Sequence, residues 1–294
     1  MQLLTTAEAA AYLRLKERKI YEMVADGTVP CTKVTGRWLF PKAELDHWLA
    51  SSISRPAGTA RPDPAPIVSG SHDPLLEWAL RESGSGLATL AVGSEAGFSR
   101  FVAGETIAAA IHLHALEDVA ADANVAALRS RNDLRDAVMI AFCRREQGFL
   151  LAPGNPLKLG TIEDIRKKRA RVAVRPKGAG AQLFLLALLH RAEIPFDELA
   201  AIGPACPTGP DIAQAIRAGR ADTGIATRGV ANAAGLGFSP IVWEPFDLVM
   251  RQRDYFQSPL QTLLKFLHSH ELAARAREFG GYDLSAAGTV RFVN

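Results

Sequence analysis

Three strand-to-helix junctions carry side chains able to hold a small anion. Ser69-Gly70-Ser71-His72-Asp73 follows one apolar run, and Ala91-Val92-Gly93-Ser94 follows another. Arg175-Pro176-Lys177-Gly178-Ala179-Gly180 follows a third and opens an apolar helix. Ligands in open α/β sheets bind beyond the carboxyl ends of strands. Helix N-termini there offer free backbone N–H groups and a positive dipole end. Ser71 and Ser94 add hydroxyl donors, Arg175 adds a charge, and Gly178 and Gly180 let backbone come close. A Gly-Ser pair after a strand is also an ordinary turn. Three such junctions in one stretch of chain are what point to an anion or carboxylate pocket.

The histidines are weaker signals. His112 and His114 alternate on a strand and share a face, but two imidazoles are too few for a closed metal site. His112 is kept as a pocket candidate with His72, and His114 is expected on a surface loop. Asp73 before Pro74 reads as a helix N-cap. No G-x-S-x-G pattern or other nucleophile–base pair is present, so catalysis is not expected. The chain is expected to need no cofactor and no metal.

A second chemistry is written near the N-terminus. Lys16, Arg18 and Lys19 stand at the start of a helix, with Tyr21 beside them, and Lys33 and Arg37 flank a tight turn. A recognition helix reads the major groove with its N-terminal residues, and Lys and Arg release counterions from phosphates. The formal net charge of the chain is only +3, so any nucleic-acid affinity must come from such a local patch. Solvated surface charge is the plainer reading of these residues taken singly.

The elements that must position both sets are legible. Thr5 and Glu8 form a capping box, and Ala9, Ala10 and Leu13 give one helical face. Ile20, Tyr21, Met23 and Val24 give a second helix that stops at Asp26-Gly27. Residues 29–34 and 37–40 make a hairpin through Thr35-Gly36, and Pro41 opens a closing helix. Tyr12 and Trp38 are expected in the core. Residues 51–66, rich in Ser, Pro, Ala and Gly, read as a linker. Beyond them, strands are expected at 67–71, 88–94, 108–113, 137–143, 148–153, 171–176, 222–227 and 239–244. Helices are expected at 74–82, 98–103, 162–168, 181–192, 211–218 and 230–234, with two more in the tail, broken near His270. Such alternation indicates parallel βαβ units. The three cysteines lack C-x-x-C spacing, no export signal opens the chain and no apolar run is long enough to span a bilayer, so a soluble cytoplasmic protein is expected.

Residues 2–50 resemble the winged helix-turn-helix of excisionase and MerR-like DNA-binding families. The matching residues are Thr6, Glu8, Ala9, Ala10, Tyr12, Leu13, Lys19, Ile20, Tyr21, Asp26, Gly27, Val29, Pro30, Gly36, Arg37 and Trp38. Residues 67–285 resemble a periplasmic-binding-protein-like sensor domain related to molybdate- and tungstate-binding proteins, in the runs GSHDPLLEWAL, AVGSEAGFSRFVAGE, REQGFLLAPGNP and AGRADTGIAT. The implied fold is a small winged helix-turn-helix domain (1–50), a linker (51–66) and an α/β two-lobed domain, type II-like (67–294), hinged near residues 137–152 and 242–250. The implied function is transcriptional regulation. A homodimer binds duplex DNA under control of a small anion, molybdate or tungstate first, held by Ser71, Ser94 and Arg175 as the cleft closes. Tungstate-binding relatives tend to carry Ser and Thr where this chain has Ala179 and Ala181, which leaves room for another small anion or an organic acid.

Overall fold

The computed structural model describes residues 2–34, 36–51, 63–114, 122–131 and 133–293. The chain divides into two compact units, Met1–Arg61 and Pro62–Asn294.

The first unit contains β1 (Leu3–Leu4), α1 (Thr6–Leu13), α2 (Glu17–Ala25), β2 (Thr32–Val34), β3 (Arg37–Pro41) and α3 (Lys42–Ser51). The capping box forms as expected, with Glu8 N–H donating to Thr5 Oγ1 and Thr5 N–H donating to Glu8. Arg14 takes a left-handed turn between the two helices, so α1 stops and α2 can pack across it. The strands lie in the order β1-β3-β2, and β2 pairs antiparallel with β3 to form the wing. Leu4, Ala9, Ala10, Ile20, Val29, Phe40 and Leu45 make the core. Pro41 closes β3, paired with Leu3, and the last helix begins one residue later than expected. Thr35 of the expected turn lies outside the described residues.

In the second unit the elements are β4 (Ala65–Gly70), α4 (Pro74–Glu82), β5 (Ala88–Ala91), α5 (Ser94–Ala103), β6 (Thr106–Ile111), α6 (Ala123–Arg129), β7 (Ala137–Leu151), α7 (Ile162–Lys167), β8 (Arg171–Ala173) and α8 (Gly180–Arg191). They continue with β9 (Ala200–Ile202), α9 (Gly209–Arg217), β10 (Thr223–Thr227), α10 (Arg228–Ala234), β11 (Gly237–Arg251), α11 (Gln252–Tyr255), α12 (Ser258–Phe266), α13 (His270–Phe279), β12 (Tyr282–Asp283) and β13 (Val290–Val293). Ala65 and Pro66, expected in the linker, are already strand; residues 52–62 of that linker lie outside the described residues.

The sheet runs β5-β4-β6-β11-β7-β10-β8-β9, with β12 and β13 also on β7. Parallel βαβ pairing holds for β4 with β5 and β6, and for β8 with β9 and β10. The two central strands are antiparallel to each other along their whole length. Their first and last halves belong to different lobes. The N-terminal half of β7 pairs with β13 and the C-terminal half with β10. Each lobe is a sheet covered on both faces by helices, with its own pair of apolar clusters.

One expectation fails here in an informative way. Residues 137–143 and 148–153 were expected as two strands, separated by the charged run Arg144-Arg145-Glu146-Gln147. They are one strand of 15 residues. Arg145 and Gln147 point to the interior and are buried, so their charge and polarity mark a site rather than a break.

Candidate functional site

The two lobes meet over a small cavity of about 20 Å³, room for about one water molecule. Its wall takes Ser71, His72 and His112 from the first lobe and Arg145 and Gln147 from β7. Arg175, Gly180, Gly209 and Thr227 come from the second lobe. The lobes touch beside it. Glu95 N–H donates to the carbonyl of Gly178 at 3.2 Å, and the His114 ring stacks on Phe184 at 4.6 Å. A Cβ on Gly180 would stand 2.2 Å from His112 Nε2 and 2.3 Å from its carbonyl oxygen, so only glycine lets α8 reach this depth.

Arg145 organises the floor. Its Nε donates to Glu244 Oε1 at 2.7 Å, Nη1 to Asp73 Oδ2 at 2.8 Å and Nη2 to His112 Nδ1 at 2.6 Å, over the face of Phe246. Burial alone would lower its affinity for the proton, but Glu244 and Asp73 outweigh burial and raise it. Glu244 also accepts from Gln147 Nε2 at 2.9 Å and pairs with His114 Nε2 at 2.7 Å. Burial would push Glu244 up; the Arg145 guanidinium and the His114 hydrogen bond hold it well below the usual carboxylate range. Asp73 accepts from Leu75 N–H and Leu76 N–H as the α4 cap, and from Tyr282 Oη at 3.1 Å. Every oxygen of both carboxylates thus accepts at least one hydrogen bond.

His112 is kept neutral by burial and by the adjacent guanidinium, which push its pKa well below the ordinary value. A guanidinium only donates, so Nδ1 accepts and Nε2 carries the hydrogen. That Nε2–H has no hydrogen-bond partner among the described residues, its nearest carboxylate oxygen being Glu244 Oε1 at 3.8 Å. Ser71 Oγ lies 2.9 Å from Nδ1 and 2.8 Å from Ser94 Oγ.

Eight buried side-chain nitrogen or oxygen atoms lack a hydrogen-bond partner among the described residues. Five of them belong to residues of this one wall: His72 Nδ1, His112 Nε2, Gln147 Oε1, Arg175 Nε and Thr227 Oγ1. Unpaired buried polar atoms are rare, and a cluster of them marks a place built to receive something polar. The N-termini of α8 and α10 carry no side-chain cap, and their opening residues Gly180 and Thr227 reach the same wall. Arg175 donates through Nη2 to the Pro207 carbonyl at 2.6 Å and has no carboxylate within ion-pair distance among the described residues. Burial and the charge of Arg145 lower its pKa to about 10. An anion would relieve that strain, because the site's own carboxylates are committed elsewhere.

The structure therefore gathers Ser71, His72, His112, Arg175 and Gly180. It does not put Ser94 or Gly178 on the wall. The Ser94 hydroxyl lies behind Ser71, donating to the His112 carbonyl at 3.0 Å, so it positions the pocket. Gly178 makes the lobe contact with Glu95. His114, expected on a surface loop, is only 8% exposed and holds Glu244. Arg145, Gln147, Thr227 and Glu244 were missed, and the buried charged run inside β7 was the available signal. No group of His, Cys, Asp and Glu suited to a metal ion occurs among the described residues, and none of their helices is long and apolar enough to cross a membrane.

In the first unit, Lys16, Arg18, Lys19, Tyr21, Lys33 and Arg37 are all exposed. Lys16 is the α2 N-cap without a side-chain hydrogen bond, which leaves the helix's first N–H groups open to a phosphate. Arg18 and Lys19 both reach back to Glu22, at 3.3 and 3.2 Å, and Lys33 lies over Trp38. Tyr12, expected in the core, is 41% exposed and hydrogen bonds to Asp46, whereas Trp38 is half-buried on the core.

Comparison with known proteins fits this division. The family described as a PBP superfamily domain matches residues 77–268, and a helix-turn-helix domain matches residues 3–52. The uncharacterized protein YvgK of Bacillus subtilis (strain 168) is 22% identical over 304 residues, spanning 97% of this chain and 96% of its own length. Two solved structures share the fold of the larger unit. A protein described as a phosphate ABC transporter substrate-binding protein, from Clostridium perfringens and with bound phosphate, superposes with a TM-score of 0.53 at 13% identity, covering 74% of this chain and 98% of that one. The tungstate ABC transporter of Geobacter sulfurreducens gives 0.50 at 14% identity, covering 71% and 95%.

Proposed function

Because this chain belongs to the PBP superfamily and carries a helix-turn-helix domain ahead of that fold, we propose that it is a transcriptional regulator whose DNA binding answers to a small anion held between the lobes. The observation that carries this reading is the cluster of five unpartnered polar atoms on one interlobe wall. The uncommitted full charge on that wall is Arg175. We read the site as binding rather than catalytic, since Asp73 and Glu244 have no free lone pair aimed at a substrate and act to hold Arg145. The Clostridium relative contains phosphate and the Geobacter relative is described by tungstate, so tetrahedral oxyanions, molybdate included, lead the set to test.

A tetrahedral anion is larger than the present cavity, so the lobes must part about β7 and β11 to admit it. Binding then shifts the equilibrium between lobe arrangements by its differential affinity for them. We further propose a homodimer on an inverted repeat, because one module of this size covers little DNA. The test is calorimetry with phosphate, sulfate, molybdate, tungstate and small carboxylates, followed by operator binding with and without the tightest of them. A native-state ligand also raises the melting temperature by mass action. Binding by none of these anions, in the parent protein, sinks the reading.

A further inference from the structure

Gln147 restricts which anion the wall accepts. Its Nε2 donates to Glu244 Oε1 at 2.9 Å, and Glu244 is an ionised carboxylate that can only accept. The amide cannot turn over without setting oxygen against oxygen. Its Oε1 is therefore a fixed acceptor, on a side chain that is 2% exposed, and it has no partner. The other unpaired groups named for this wall include Arg175 Nε, the Nε2–H of His112 and the Thr227 hydroxyl, which can all donate. His72, whose Nε2 donates to Glu77 Oε2 at 3.2 Å, adds Nδ1 as a second acceptor, so the cavity asks for several acceptors and at least one donor from the same small molecule. A water molecule can supply that donor while the site is narrow, but it is displaced when an anion fills the space.

Resting on the reading that an anion binds here, we propose that the effector is an anion carrying its own hydroxyl. Its charged oxygens meet Arg175, His112 and Thr227, and its O–H donates to Gln147 Oε1. Phosphate keeps at least one proton at neutral pH and fits this description. A 2-hydroxycarboxylate fits it too. Sulfate, molybdate and tungstate carry no proton at that pH and would place a lone pair against Gln147 Oε1. Leaving a buried acceptor unsatisfied weakens binding by about tenfold to a hundredfold.

The experiment is titration calorimetry of the full chain at neutral pH with matched pairs. Phosphate is compared with sulfate, molybdate and tungstate, and glycolate with acetate. The expected result is a preference of at least about tenfold for the hydroxyl-bearing member of one pair, and the pair that shows it separates an inorganic effector from an organic one. Gln147→Leu removes the acceptor and leaves Glu244 its contacts with Arg145 and His114. It should erase the preference, by weakening the hydroxyl-bearing anion while leaving its mate unchanged or tighter. If sulfate, molybdate or tungstate binds as tightly as phosphate, and acetate as tightly as glycolate, the inference is overturned while the anion site stands. If no anion binds, both fall. The parent pairs decide the matter even if the variant fails to fold.

Discussion

At the scale of single residues, the pocket depends on one cation that the sequence hides. Arg145 is 1% exposed and ties Asp73, Glu244 and His112 together. Replacing it with Met leaves two buried carboxylates without their counter-charge. Removing one partner of a buried pair costs about 3–5 kcal/mol, so Arg145→Met should lower the urea midpoint sharply, and an unchanged midpoint would show the network to be ornamental. Arg175 behaves differently, because no carboxylate depends on it. Arg175→Ala should abolish the thermal shift produced by the anion while leaving the unfolding free energy without ligand within about 1 kcal/mol. The contrast explains what was readable. Arg175, Ser71 and Gly180 sit at strand ends and helix starts, where anion chemistry is a local pattern. Arg145, Gln147 and Glu244 lie mid-strand, and only long-range pairing between β7 and β11 brings them together.

At the scale of elements, several helices were legible because caps are local, although α5 begins at Ser94 instead of Phe98 and α6 was not expected. Asp73 caps α4, and Pro74 and Glu82 bound it as expected. The long strands were not, because antiparallel pairing of distant segments leaves no short-range mark. Gly148 lies opposite Pro240 near the C-terminal end of β7, where a Cβ would meet the Ser239 carbonyl oxygen at 2.1 Å. The terminal strand β13 is held by Arg291, which reaches both Asp247 on β11 and Asp122. Burial pushes the Asp247 carboxyl up to about 6, with Arg291 opposing. A carboxyl raised in the folded state contributes stability that is complete below its unfolded pKa and lost as pH rises through about 6. Urea unfolding of Asp247→Asn and the parent should therefore diverge with pH, the variant gaining about 2–3 kcal/mol on the parent between pH 4 and pH 7. A constant difference across that window would show that Asp247 titrates normally. On the DNA-reading unit, Arg37→Ala should weaken operator and non-operator DNA alike and reduce the salt slope by about 1. An anisotropy titration with an unchanged slope would remove Arg37 from the interface.

At the scale of the whole molecule, the two units divide the work proposed for the chain, and the proposed dimer rests on the smaller one. Sedimentation showing a monomer, both free and on a bound operator, would reject the inverted-repeat arrangement. The path of the chain through the larger unit has a further consequence. Residues 147–242 form the second lobe as an unbroken stretch, entered along β7 and left along β11. The first lobe takes its strands from both sides of that stretch, and α12, α13, β12 and β13 all follow it. Proteins are made from the N-terminus, and compact units fold as they emerge. The DNA-reading unit thus emerges before the second lobe, and the second lobe before the pieces that complete the first. Tyr282, which hydrogen bonds to Asp73 beside Arg145, emerges only after the whole second lobe. On the proposed reading, a chain stopped between β11 and Tyr282 should keep its DNA-reading unit and lose anion control, giving an unregulated binder rather than an inert fragment.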